Sequence, residues 1–241
     1  MSLSQLKARY TNSILGITWA VINPFLIMGA ISFVFVGVLK MQTKGFALFV
    51  LSGIFPWMFF AGAVTDATSS ILNQQNILRQ FSLPREILPL SAVMSNFMNF
   101  LIGWLIIYPI FLVFNPAIIF LLPLLPLFLL LQLCFVCGLG LILSILNVFL
   151  RDTGQLLGLL LMFWFWVTPI FYTSEMVPEQ LRWVCSFNPM TPFISGYREI
   201  IFSANVPSMA VMISAAFWAL AALTSGLEIF GAAQQKILKR I

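Results

Sequence analysis

Histidine is absent from the 241-residue chain, and Asp, Glu, Lys and Arg together make up only 8% of it. Without an imidazole there is no Ser-His-Asp or Cys-His nucleophile system and no His-based metal site. Three cysteines cannot build a disulfide framework. Cys134 and Cys137 form a CxxC, but inside an uncharged apolar run, where thiols behave as small hydrophobes. No GxxxxGK[ST] occurs, so the chain lacks the phosphate-binding loop needed to hydrolyse ATP. Lys and Arg number 12 against 7 Asp and Glu, a net charge of only +5 with no long basic cluster, and nucleic acid is not an expected partner.

What is there is oil. Hydrophobic residues are 61% of the chain, against about 45–50% apolar and about 25% charged in soluble domains. From Ile87 to Leu150 there is no Asp, Glu, Lys or Arg at all. A membrane barrel would show alternating segments of about ten residues, whereas these runs are continuous, which makes the chain an all-α integral membrane protein.

A span needs about 20 mostly apolar residues to cross roughly 30 Å of hydrocarbon. That ruler predicts one transmembrane domain with six transmembrane helices, at 20–39, 46–72, 88–114, 117–147, 154–173 and 209–231, the third and fourth divided at Asn115-Pro116. The first 18 residues have no short apolar core leading to a small-residue cleavage site, so they do not read as a signal peptide. Leu3, Leu6, Tyr10, Ile14 and Ile17 instead share one face at helical spacing, predicting an N-terminal amphipathic interface helix.

Residues 174–208, between spans five and six, hold Pro178, Pro189, Pro192 and Pro207, and their apolar pieces are too short to span. Such pieces read as interfacial or re-entrant. Irregular backbone at membrane depth needs protein or water to satisfy it, and an aqueous vestibule is expected there. Positive charge favours the cytoplasmic side. A cytoplasmic N-terminus puts Lys7, Arg9, Arg79, Arg85, Arg151, Lys236, Lys239 and Arg240 inside and only Lys40, Lys44, Arg182 and Arg198 outside. Both termini are therefore expected in the cytoplasm.

Six motifs follow in order: LKARYTNSILGITWAVINP before span one, GIFPWMFF in span two and NQQNILRQFSLPREILPLS between spans two and three. LNVFLRD then follows span four, TPIFYTSEMVPE ends span five, and FNPMTPFISGYRE lies beyond it. This order resembles the membrane subunit of the polysaccharide-exporting type-2 ABC transporters, which move O-antigens, teichoic acids and capsular polymers. The resemblance implies a permease in the cytoplasmic (inner) membrane that does no covalent chemistry and binds no cofactor. ATP and Mg would sit on a separate nucleotide-binding ATPase subunit present in two copies, beside a second copy of this chain. The cargo would be a polysaccharide on a polyprenyl diphosphate; a teichoic acid, a capsule polymer or a small lipid or drug is the alternative within the family.

The resemblance also implies that residues 73–88 contain a cytoplasmic coupling helix seated on the ATPase, with Asn76, Arg79, Phe81, Pro84, Arg85 and Glu86 as its contacts. Pro84 would stop that helix near Leu83; pattern alone fits a solvated loop held inside by its arginines equally well. Arg151 and Asp152 make the other cytoplasmic turn, either as an anchor with a helix-capping Asp or as a second ATPase contact. Lys7 and Arg9 are membrane-surface anchors or contacts for the lipid diphosphate. Trp57, Phe59, Phe60, Trp164, Trp166, Phe171 and Tyr172 are candidates to line the path, because flat apolar rings stack weakly on sugar C–H faces, about 0.5–1.5 kcal/mol each by analogy with aromatic pairs; interfacial anchoring is the other reading. Asp66 and Glu228 are the carboxylates within predicted spans, and such acids are costly enough to be functional candidates. Asp66 leaves open an ion-coupled secondary transporter. Gly154-x-x-x-Gly158 would permit a close helix approach.

Overall fold

The computed structural model describes residues 45–75 and 84–237, with isolated positions between 22 and 37. The predicted interface helix with Lys7 and Arg9, most of the predicted first span, and the predicted coupling turns with Asn76, Arg79 and Phe81 lie outside the described residues. Among the described residues there are seven α-helices and no strand: α1 (Phe46–Asn73), α2 (Ile87–Phe114), α3 (Leu125–Phe149), α4 (Thr153–Val167), α5 (Arg182–Phe187), α6 (Thr191–Ile201) and α7 (Met209–Ile237). Four stretches are long and apolar enough to cross a membrane: Phe46–Asn73, Ile87–Phe114, Pro116–Phe149 and Met209–Gln234.

The helix ends follow from local chemistry. Gly45, at φ 79°, starts α1 in the left-handed region that glycine tolerates best. α2 stops at Phe114, where Asn115 goes extended and its Oδ1 accepts from the Ala117 amide at 3.3 Å. The segment predicted to begin span four at Ala117 is a 3-10 helix, Pro116–Leu124, before it becomes α3. Pro116, Pro123 and Pro126 withhold the N–H groups that an α-helix would use there.

α4 departs most from expectation. It ends at Val167, not near Thr173. Hydropathy continues through Pro169, Ile170 and Phe171, but a proline drives the residue before it out of the helical region. Thr168 accordingly sits at φ −82°, ψ 134°, and its Oγ1 donates to the Trp164 carbonyl at 2.7 Å. Fifteen residues make a rod of about 22 Å, shorter than the hydrocarbon layer.

α1 is the hub, packed against α2, α3, α4 and α6. Polar side chains from neighbouring helices reach it in sequence. Gln132 Nε2 donates to the Pro56 carbonyl at 2.9 Å, Asn96 Nδ2 to Asp66 Oδ2 at 2.8 Å, and Asn147 Nδ2 to the Thr68 carbonyl at 3.0 Å. Bonds of this kind between membrane helices are worth about 0.6 kcal/mol on average. They set register more than they add stability.

The closest backbone approach is between α3 and α7. A Cβ on Gly138 would overlap the backbone of Ala222 and Leu223, and one on Gly226 would stand 2.5 Å from Gly138 O and 2.8 Å from Gly138 Cα. Among the described residues the predicted Gly154–Gly158 approach is not made: a Cβ on Gly158 would meet nothing within 4 Å, and one on Gly154 only Asn147 Oδ1 at 3.8 Å. α4 turns Leu157, Leu161, Trp164 and Phe165 toward the protomer, and its two glycines lie off that face, with no helix among the described residues against them.

Chain direction sorts the loops into two ends. One gathers Gly45, Asn115 and the whole 168–208 segment; the other gathers Pro84–Glu86, Leu150–Asp152 and the end of α7. The first end is the more elaborate. α6, within it, is not at a surface: Phe193, Ile194, Tyr197, Ile200 and Ile201 are all buried. Its start meets Phe135, whose ring is 5.2 Å from Phe193 and 5.8 Å from Phe60, a residue four turns into α1. The expected aqueous vestibule is therefore replaced, along α6, by protein.

Candidate functional site

Three of the motifs that are far apart in sequence meet at one place. GIFPWMFF of α1, the TPIFY elbow after α4, and FNPMTPFISGYRE through α6 converge on two polar side chains, Arg198 and Asn188. Arg198 is only 8% exposed, and no carboxylate lies within ion-pair distance of it among the described residues. Burial draws its guanidinium down to about 10, which leaves it charged at neutral pH. Nη1 donates to the carbonyls of Pro169 at 3.0 Å and Tyr172 at 3.4 Å, and Nη2 to that of Ile170 at 2.8 Å. The opposite face of the cation rests on Phe49, with Cζ 3.7 Å from the ring centre, a favourable cation–π arrangement. Gly53 makes room for the approach: a Cβ there would lie 3.1 Å from Nη2 and crowd it by a few tenths of an ångström.

Asn188 does for the near side of the elbow what Arg198 does for the far side. Its Oδ1 accepts from Trp164 Nε1 at 2.7 Å and from the Met190 amide at 3.0 Å, while Nδ2 donates to Thr168 Oγ1 at 2.9 Å. Tyr172 closes the elbow by donating from Oη to the Val167 carbonyl at 2.9 Å. The last turn of α4, the elbow and α6 are thus tied into one piece.

The predicted path aromatics divide into two sets. Trp57, Phe59 and Phe60 are buried in the protomer. Phe59 stacks on Phe100 at 4.7 Å, and Trp57 and Phe60 meet Trp164 at 6.2 and 5.1 Å. Trp166 is 63% exposed and stacks on the half-buried Phe171 at 5.8 Å. Phe163 is also exposed, whereas Trp164 and Phe165 turn inward. Four consecutive aromatics point all round a helix, so this division follows from the 100° step. Trp166, Phe171 and Tyr172 are the predicted path residues nearest to an open face.

At the opposite end, Arg85 Nη1 donates to the Gln234 carbonyl near the end of α7, where a cation also suits the helix dipole. Pro84 and Glu86 flank it, and Glu86 stands at the start of α2 without a side-chain cap bond. Arg151 and Asp152 are both exposed. The expected capping by Asp152 is not made: its carboxylate bonds no amide of α4, and it is the Asp152 carbonyl that accepts from Leu156. Its backbone is already helical, whereas a side-chain cap needs an extended residue. Nearby, Asp66, Ser69, Ser70, Asn73, Gln74 and Ser95 line a polar cavity of about 190 Å³ between α1 and α2.

Sequence reading missed Arg198, Asn188 and Gln132. Arg198 carried no local signal: Phe193, Ile194, Tyr197, Ile200 and Ile201 share one face of α6, and Arg198 stands beside it on the polar side with Thr191, Ser195 and Glu199, where a solvated charge is the ordinary reading.

A family description, "ABC-2 type transporter", matches residues 1–202. The chain is 33% identical over 204 residues to an O-antigen export system permease protein RfbA of Klebsiella pneumoniae, covering 82% of this chain and 77% of that protein. It is 27% identical over 239 residues to the protein of the same name from Myxococcus xanthus, covering 98% and 92%. Taken with the apolar helices and the absence of a nucleotide-binding loop, this places the chain in the ABC-2 type transporter family as a multi-pass membrane permease subunit that is not itself the ATPase.

Proposed function

We propose that this permease exports a polysaccharide carried on a polyprenyl diphosphate, O-antigen-like, across the cytoplasmic membrane, driven by ATP hydrolysis on a partner subunit. Two copies of the chain and two of the ATPase form the working machine. Both termini lie in the cytoplasm and six spans cross the membrane, the first over residues 20–39 and the fifth as α4 extended by its elbow. The 168–208 segment then belongs to the outer side as a re-entrant hairpin. The observation that carries the substrate is the likeness over most of the chain to permeases named for O-antigen export. Exposed Trp166 beside Phe171 supports it, because repeated weak stacking suits a sliding polymer.

The coupling surface is the inner end, comprising Asn76, Arg79, Phe81, Pro84, Arg85 and Glu86, with Arg151 and Asp152 on the second turn. Lys7 and Arg9 meet the membrane surface and the lipid diphosphate. Arg85 is suited to transmit motion because it bonds the end of α7 while standing next to the coupling turns. The permease and its ATPase, co-reconstituted in sealed vesicles, should move a polyprenyl-diphosphate-linked glycan only with ATP. Arg85→Glu should keep the assembled complex and lose export by at least about tenfold, since a carboxylate repels the Gln234 carbonyl. Normal export by Arg85→Glu would remove that segment from coupling, and glycan movement without ATPase or ATP would end the export reading.

A further inference from the structure

We infer that Arg198 is a positioning residue for closure of the transport path at the Gly45 end: it pins the 168–172 elbow to α1 and α6 and thereby holds the Trp166–Phe171 rim in place. This rests on the export reading only in that a path exists. Asn188 holds the elbow at Thr168 and the Ile170 side chain is buried in the core, but the backbone from Pro169 to Tyr172 depends on Arg198. Among the described residues no backbone amide reaches the carbonyls of Pro169, Ile170 or Tyr172, and all three are taken by the one guanidinium. Carbonyls without donors are expensive away from water.

The choice of a cation is informative. A buried charge can often be replaced by an apolar side chain of similar volume without loss of stability, so packing alone gives no reason for arginine. A planar fork with donors on two nitrogens can hold several carbonyls of one segment at once, which neither an apolar chain nor a point ammonium does. The fork is itself held by Phe49 on one side and by the gap at Gly53 on the other. Two of these fixtures belong to α1, so the elbow is referenced to the central helix rather than to α4, from which it springs. Between the gripped Ile170 and Tyr172 the elbow carries Phe171, stacked on a Trp166 that is exposed among the described residues. Release of the elbow therefore moves the rim, while α1–α3 and α7 keep their own packing.

The test uses permease and ATPase together in sealed vesicles loaded with a small fluorescent dye, with leak read in the absence of ATP and glycan. Arg198→Gln should assemble with the ATPase and leak about tenfold faster or more, the shift that losing three buried hydrogen bonds makes in a closed-to-open ratio. Arg198→Lys should fall between wild type and Arg198→Gln. Gly53→Ala, which leaves the charge in place but crowds Nη2, should leak more than wild type and less than Arg198→Gln. A Cβ on Gly53 lies 3.5 Å from Ile170 Cα, so Gly53→Cys with Ile170→Cys in the Arg198→Gln background should reseal on oxidation and leak again on reduction. Assembled Arg198→Gln vesicles as tight as wild type overturn the inference, as does a leak that persists under oxidation of the cross-linked form. Should Arg198→Gln fail to reach the membrane, a tight Gly53→Ala overturns it alone. Wild-type vesicles that stay tight but move no glycan sink the export reading and leave this comparison intact.

Discussion

Asn188→Ala removes a side chain on which three groups converge, and its cost can be worked group by group. Two donors are stranded, the Trp164 indole N–H and the Met190 amide, which lose acceptors at 2.7 and 3.0 Å. Thr168 Oγ1 loses a donor but keeps its own bond to the Trp164 carbonyl. A buried donor left unpaired costs about 1–3 kcal/mol, while measured bonds between membrane helices average about 0.6 and reach about 1.7 kcal/mol. Two stranded donors and one weakened hydroxyl then give a loss of about 2–4 kcal/mol. Thr168→Val removes only the hydroxyl and should cost about 1 kcal/mol. Because the two residues share a bond, the double variant should lose less than the sum of the single ones by about 0.5 kcal/mol or more. Reversible SDS titration of the purified permease in mixed micelles, followed by tryptophan emission, measures all three. Asn188→Ala within about 0.5 kcal/mol of wild type, the range of an ordinary surface change, would refute the reasoning, and so would strict additivity with Thr168→Val.

Gly226→Ala forces α3 and α7 apart at their closest point, because the new Cβ would sit 2.5 Å from Gly138 O. The expected loss is about 1–3 kcal/mol in the same titration, and a neutral result would mean the crossing is looser than described. Asp66→Asn removes the carboxylate that accepts from Asn96, yet export should keep its full dependence on ATP. Uptake driven by an ion gradient in the wild type and lost in this variant would favour an ion-coupled carrier instead.

The long helices were legible because hydropathy and length are what the membrane itself selects, and the break at Asn115-Pro116 was legible because proline acts locally. The end of α4 was misjudged on the same scale. Pro169, Ile170 and Phe171 are apolar enough to extend a span, but Thr168 turns extended ahead of Pro169 and is held so by its bonds to Trp164 and Asn188, whereas Pro56 and Pro109 stay inside their helices. Arg198 was counted as an outside loop charge. Its burial depends on carbonyls 26 to 29 residues away and on Phe49 and Gly53 far upstream, and no local pattern records such partners. The glycine motif failed for a related reason. Gly154 and Gly158 have the spacing but no facing helix among the described residues, while Gly138 and Gly226 touch across almost ninety positions of chain.

The shortness of α4 has a consequence for the lipid around it. Among the described residues Leu156, Leu159 and Met162 lie on its exposed flank, a wall about 22 Å tall beside hydrocarbon about 30 Å thick. Acyl chains abutting that flank must compress or tilt, at a fraction of a kcal/mol for each ångström of mismatch. The leaflets there are drawn toward each other, which thins the dielectric barrier to any charged group along this one side of the molecule.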